Sequence, residues 1–271
     1  MSGIETHTKT EFVGVGLGPG DPELVTLKAI VAMQQADVVA YLTNDTGHSR
    51  ALTIAQAAVA RMSELVTTDE SMLKSAESVT WPMAAQTLPL NMPMRLDRTA
   101  ANRVYDEAAQ SIQHHMDCGK RVVFLCEGDP LFFGSFAYLL ERLQQSVPCR
   151  VIPGITSIAA ASSTLSLPLT RLTESLAVVS GRHDDVQIQA ALTEYDSVAI
   201  LKAGRHRPRL LTLLKKTGRL NEAVYLENMG MATQRVETDC LNLYQTQAAE
   251  LGPYFSLFIV TRSTFMNEPR T

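Results

Sequence analysis

Val122-Val123-Phe124-Leu125 runs directly into Cys126-Glu127-Gly128-Asp129-Pro130-Leu131-Phe132-Phe133-Gly134-Ser135, and this junction decides the fold. A β-branched and aromatic run that stops at Gly-Asp-Pro predicts a buried strand delivering a polar turn to the carboxyl edge of a sheet. Open α/β sheets bind their ligands at that edge. Gly128 lets backbone approach a ligand closely, and Asp129 adds acceptor oxygens for a hydroxyl or ammonium group. The same residues, taken alone, also read as a cap and turn.

A second junction lies near the start: Val13-Gly14-Val15-Gly16-Leu17-Gly18-Pro19-Gly20-Asp21-Pro22. A G-x-G-x-x-G fingerprint starting at Gly14 would need glycine where Pro19 stands, so the dinucleotide pattern fails. Pro19 and Pro22 stiffen the turn, while Gly18 and Gly20 open backbone angles and a close approach to a flat ligand. The structural alternative is a tight strand-to-helix connection with Asp21 as helix cap.

Around these junctions, strand and helix patterns alternate, which predicts a sheet covered on both faces. Strands are expected at residues 12–16, 38–42, 121–126 and 150–153, with helices at 24–35, 50–60, 99–117, 136–145 and 159–164. The polar stretch 67–79 has no strong period and reads as an exposed insertion. Ser166-Leu167-Pro168-Leu169-Thr170 breaks the small-residue helix and is taken as the domain boundary, giving α/β domains at 1–168 and 169–271. In the second, strands at 176–180, 197–201, 223–226 and 254–261 predict a mixed sheet, its last strands antiparallel for want of long crossovers.

Composition narrows the class. The 271 residues are 45% hydrophobic and 19% charged, as in a globular protein able to bury one large or two ordinary cores. A net charge of −4 argues against a general nucleic-acid binder. Four scattered cysteines form no Cys-x-x-Cys pair, and His114 and His115 have no ligand partner at the usual spacing, so no metal site is expected. The thiols should be reduced and mostly buried. The polar start lacks the apolar core of a signal peptide, and no run approaches the roughly 18 apolar residues of a membrane span, so a cytoplasmic protein is expected.

Together with Pro153-Gly154-Ile155-Thr156-Ser157 and Glu227-Asn228-Met229-Gly230-Met231-Ala232-Thr233-Gln234-Arg235, the two junctions resemble the tetrapyrrole methyltransferase family of the uroporphyrinogen methyltransferase type. The resemblance runs from Phe12 to about Thr261. Glu127, where many relatives have glycine, is similar to the branch that methylates precorrin-2 at C-20, as are Trp81-Pro82-Met83 and Leu201-Lys202-Ala203-Gly204-Arg205-His206. It implies two α/β domains with an active-site cleft between them, S-adenosylmethionine as methyl donor, precorrin-2 as substrate in cobalamin biosynthesis, precorrin-3A as product, and a homodimer. A ring already loaded with cobalt, another ring position, and a non-catalytic tetrapyrrole or cofactor binder are the alternatives.

The resemblance assigns cofactor contact to Glu127, Gly128, Asp129, Phe132, Thr156, Ser157 and Met229, and to Lys202 and Ala203, near which the family usually carries a methionine that this chain lacks. It assigns the border of the tetrapyrrole to Gly16, Gly18, Pro19, Gly20 and Asp21. Methyl transfer is then a direct displacement, and the enzyme's main work is alignment. Asp21, Asp129 and the histidines are the candidate bases for the proton that leaves the methylated carbon, each with a structural reading beside it. Substrate carboxylates call for cationic partners, with Arg205 in the Lys202–Arg209 cluster preferred and Arg50, Arg98, Arg103 and Arg207 as further candidates.

Overall fold

The computed structural model describes residues 10–68, 85–92 and 98–262. The stretch 69–79 and Trp81-Pro82-Met83 lie outside the described residues, as does the side chain of Arg98. The chain divides into two compact units, Met1–Thr156 and Ser157–Thr271. This division falls before the small-residue helix, whereas the sequence suggests a break after it, at Pro168.

In the first unit, β1 (Phe12–Gly16), α1 (Leu27–Gln34), β2 (Val38–Thr43), α2 (Arg50–Thr68), β3 (Gln86–Asn91), α3 (Arg98–Asp117), β4 (Val122–Cys126), α4 (Phe136–Leu143) and β5 (Cys149–Ile152) follow one another. The strands form a parallel five-stranded sheet in the order β3-β2-β4-β1-β5. Side chains alternate between its faces with the strand period of two. Val13, Val15, Val39, Tyr41, Val123 and Leu125 pack with α1 and α2, while Phe12, Val38, Ala40, Val122, Phe124 and Cys126 pack with α3 and α4. Both faces are covered, which is why the strands read as unbroken apolar runs. Gly14 contributes by absence: a Cβ there would come within 2.7 Å of the Phe136 ring of α4.

This topology selects an edge. After β1 the chain passes to β2 through α1 on one face, and after β4 it passes to β5 through α4 on the other. β1 and β4 are neighbours whose connections leave in opposite directions, so their carboxyl ends form a topological switch point, the place where an open α/β sheet has its ligand crevice.

The second unit runs α5 (Ser157–Leu165), β6 (Leu176–Ser180), α6 (Asp185–Glu194), β7 (Ser197–Leu201), α7 (Arg207–Lys216), β8 (Ala223–Glu227), β9 (Arg235–Glu237), α8 (Cys240–Gln247) and β10 (Ser256–Thr261). Its sheet has the order β6-β7-β10-β8-β9. β6 and β7 are parallel, β10 is antiparallel to both β7 and β8, and β9 is antiparallel to β8. β6, β7 and β8 therefore point their carboxyl ends to one edge. Val179, Val198, Ile200, Tyr225, Phe258 and Val260 form the core with α6, α7 and α8.

Two strands have no counterpart in the sequence reading. β3 is an edge strand with Pro89 and mostly exposed side chains, and β9 is an edge strand of three residues. Conversely, α2 continues to Thr68, eight residues beyond the expected stop. Cys126 and Cys240 are buried, Cys149 is half-buried and Cys118 is exposed, all as free thiols. No helix among the described residues is long and apolar enough to cross a membrane.

Candidate functional site

At the switch point the turns after β1, β4 and β5 are laced together. The Gly128 amide donates to the Gly18 carbonyl at 2.7 Å, and the Gly18 amide to the Gly128 carbonyl at 3.3 Å, an isolated antiparallel bridge between the two signature turns. The third turn packs against both. A Cβ on Gly154 would come to 2.1 Å from the Gly128 carbonyl oxygen and 2.9 Å from the Gly16 backbone, so only glycine permits this approach.

Asp129 ties the same turns with its side chain. One carboxylate oxygen accepts from the Leu131 amide at 2.9 Å, closing the turn, and the other accepts from the Gly154 amide at 3.0 Å. Both oxygens are engaged with backbone, so the half-buried carboxylate is a strut. Asp21 accepts from the Glu23 amide at 2.9 Å and caps the short helical turn Pro22–Leu24, as the structural alternative had it. Gly16, Gly18 and Pro19 are buried, and Gly20 and Asp21 are the half-exposed part of their turn.

Beyond Pro130 the loop turns apolar and outward. Leu131, Phe132 and Phe133 are exposed, the two rings meet edge to face at 5.2 Å, and Phe133 holds a left-handed φ of 56°. Glu127 is half-buried between this loop and the start of α2. Burial pushes its carboxyl up, against the pull of its own amide, the Arg50 charge and the Ala51 amide. Thr156, half-buried, ends the β5 turn, and Ser157 opens α5.

In the second unit the turns after β7 and β8 share an edge and are pinned by the entry to β10. The Ala203 amide donates to the Ser256 carbonyl at 3.1 Å, and the Asn228 amide to the Phe255 carbonyl at 2.8 Å. Lys202 and Asn228, each next after its strand, take left-handed φ values of 56° and 50°. Such conformations concentrate where a fold holds backbone for a ligand. Ala203 and Met229 are buried, so Ala203 can offer a ligand only its backbone, and Met229 fills core at the base of its loop. Lys202 is half-buried, its ammonium held low first by burial and then by Arg182.

The arginines sort by burial. Arg207 is no surface clamp: only 2% exposed, it lies 3.6 Å from Glu227 and 3.5 Å from Glu250, donates to the Glu250 carbonyl at 2.9 Å, and covers the Tyr225 ring. Arg209 is spent on Asp185 and on the carbonyls of Gly181 and His183. Arg50 is buried and donates to the Pro19 carbonyl at 2.9 Å, so it serves the turn after β1 rather than standing on the surface. Arg103 and Arg205 are exposed. Arg205 belongs to a patch the sequence outlined only in part. The Gly181 amide donates to the Leu201 carbonyl at 2.6 Å, so exposed Arg182 joins Lys202, Arg205 and His206, and His206 is held low by burial and by Arg209, Arg182 and Arg205. Arg182 carried no local motif; only the pairing of β6 with β7 reveals it.

Residues 11–242 match the family of Tetrapyrrole (Corrin/Porphyrin) Methylases. A precorrin-2 C(20)-methyltransferase of Sinorhizobium sp is 33% identical over 270 residues, 96% of this chain and 97% of that protein. A cobalt-precorrin-2 C(20)-methyltransferase of Salmonella typhimurium is 27% identical, over 93% of this chain and 96% of that protein. Among solved structures, uroporphyrin-III C-methyltransferase of Thermus thermophilus complexed with S-adenosylhomocysteine superposes with a TM-score of 0.57 at 23% identity, over 93% of this chain and 97% of that one. The switch-point turns, the two α/β units and the match over residues 11–242 lead to one conclusion: the chain belongs to the tetrapyrrole methylases.

Proposed function

We propose that the protein transfers a methyl group from S-adenosylmethionine to C-20 of precorrin-2, giving precorrin-3A in cobalamin biosynthesis. The observation that carries this reading is the laced edge of the first unit, Gly18 on Gly128 and Asp129 on Gly154, in a chain 33% identical to a precorrin-2 C(20)-methyltransferase over nearly its whole length. The residues present suit the donor. Gly128, at φ 68°, has no atom beyond its own chain neighbours within 4 Å of the position a Cβ would take, so a flat adenosine can lie against bare backbone there. On this reading Glu127, Asp129, Phe132, Thr156 and Ser157 are the further cofactor contacts. In the second unit, Lys202, Ala203 and Met229 supply further cofactor contacts.

When bound, S-adenosylmethionine supplies an electrophilic methyl whose transfer to a ring carbon breaks the carbon–sulfur bond and discharges the sulfonium. The chain's part is to hold and to exclude water. The paired turns fix backbone carbonyls and amides before any ligand arrives, so little reorganisation remains, and alignment of this kind supplies up to about 7–11 kcal/mol of barrier. Gly20 and Asp21 border the tetrapyrrole, with Gly16, Gly18 and Pro19 behind them as support, and Arg205 with Arg182 faces the carboxylate rim. Asp21 and Asp129 are the candidate acceptors for the departing proton, through lone pairs their amide partners leave open. A homodimer in the cytoplasm goes with this reading.

The test is anaerobic incubation with precorrin-2, with and without cobalt, and methyl-labelled S-adenosylmethionine, followed by locating the label on the ring. Label at C-20 is expected, and label at any other carbon defeats the assignment. The 27% identity to a cobalt-precorrin-2 enzyme favours a second reading, the metal-loaded ring as substrate, which the cobalt arm separates by rate.

A further inference from the structure

Arg50 is the first residue of α2, and its guanidinium is buried at the switch-point edge. Nη2 donates to the Pro19 carbonyl at 2.9 Å. The same charge acts on Glu127: each ion favours the other, against a burial that pushes the arginine down and the carboxyl up. Glu127 also faces the Ala51 amide, at the positive end of α2. One side chain therefore holds the turn after β1 and opposes the charge on the turn after β4.

The chemistry of proline makes this grip necessary. The bridge between the two turns ends at Gly18 and Gly128, and Pro19 has no N–H with which to extend it. The next anchor available on that turn is the Pro19 carbonyl, and Arg50 takes it. Without Arg50, the segment from Pro19 to Asp21 would hang from Gly18 on one side and from the Asp21 cap on the other.

We infer that Arg50 is a positioning residue for methyl transfer, locking the 19–21 turn, which borders the tetrapyrrole, onto the start of α2 beside the paired Gly18 and Gly128 turns. The inference rests on the function proposed above. It assigns to Arg50 an effect on substrate alignment that is separable from its effect on stability.

A double-mutant cycle of wild type, Arg50→Met, Glu127→Gln and the double variant makes the separation. Arg50→Met alone should lower the melting temperature, because it leaves the Glu127 carboxylate without its cation, and the double variant should regain most of that loss. The Michaelis constant for the tetrapyrrole should instead rise about tenfold on Arg50→Met in both backgrounds, since neither regains the Pro19 anchor. S-adenosylhomocysteine affinity should change less than about twofold between the members of each pair, because Gly128 and Asp129 keep their own bonds. A Michaelis constant that recovers in the double variant together with the melting temperature overturns the inference, as does one that never moves. Turnover by the wild type tests the proposed function in the same assay. Amide exchange over residues 17–24 tests the lock without substrate: it should quicken in both Arg50→Met variants and not in Glu127→Gln, and equal exchange in all four sinks the lock.

Discussion

At the residue scale, the sequence names the participants better than their duties. Asp129 and Asp21 stand out as acceptors, yet what they accept is backbone N–H, because a carboxylate at a tight turn finds amides before it finds a ligand. Asp129→Ala should cost about 1–3 kcal/mol, since the amides of Leu131 and Gly154 lose their acceptor, and it should weaken S-adenosylhomocysteine binding, while Asn retains part of both. Chemical denaturation and calorimetric titration of the two variants check this. Arg207 illustrates the opposite error, a charged residue in a basic run that belongs to the interior. Arg207→Met should cost about 3–5 kcal/mol by stranding Glu227, and the double change Arg207→Met with Glu227→Gln should recover much of it. His206 yields a pH signature. Its folded value lies below the unfolded value of about 6.5, so between the two the unfolded chain binds more protons, and stability rises with pH through that window. Melting temperatures of wild type should therefore fall as pH drops below about 6.5, and His206→Asn should flatten that slope.

At the element scale, legibility followed burial. β1 and β4 are covered on both faces and announce themselves as apolar runs, whereas β3 and β9 lie at sheet edges, where half the side chains meet water and the pattern dissolves. Pro89 in β3 adds to the disguise, since a proline in a strand marks an edge. The turns were legible as motifs, but their lacing was not, because its hydrogen bonds span long sequence separations: Gly18 meets Gly128 through backbone atoms common to all residues, and the Asp129 carboxylate meets a backbone amide, that of Gly154. Their geometry makes Gly154 the most sensitive position of the edge. Gly154→Ala would drive a methyl into the Gly128 carbonyl, and backbone cannot swing aside as a side chain can. S-adenosylhomocysteine affinity should drop by more than about tenfold, and a variant that binds as tightly as wild type would show that the three turns are free to separate.

At the scale of the whole molecule, strand order is what the sequence hides. Alternating patterns predict an α/β chain, but the orders β3-β2-β4-β1-β5 and β6-β7-β10-β8-β9 arise from which strands pair, and pairing places the site. It brings β1 beside β4 to make the switch point, and it brings Arg182 beside Lys202 and Arg205 across the adjoining ends of β6 and β7. That second juxtaposition has an electrostatic consequence for a chain whose net charge is −4. A polycarboxylate approaching an anionic protein is repelled at long range and gains only near the local cations, over distances of the order of the Debye length, about 10 Å at 0.1 M salt. The Michaelis constant for the tetrapyrrole should therefore rise with ionic strength, whereas S-adenosylmethionine, which lacks the ring's rim of carboxylates for Arg182 and Arg205 to hold, should show a weaker dependence. Arg205→Ala should raise the tetrapyrrole constant while sparing cofactor affinity, and Arg182→Ala should do the same. Combining the two should remove most of the salt dependence itself, because the charges that generate it are gone. Initial rates across a salt series decide the matter: a slope that survives in the double variant would move the carboxylate site away from the β6–β7 edge.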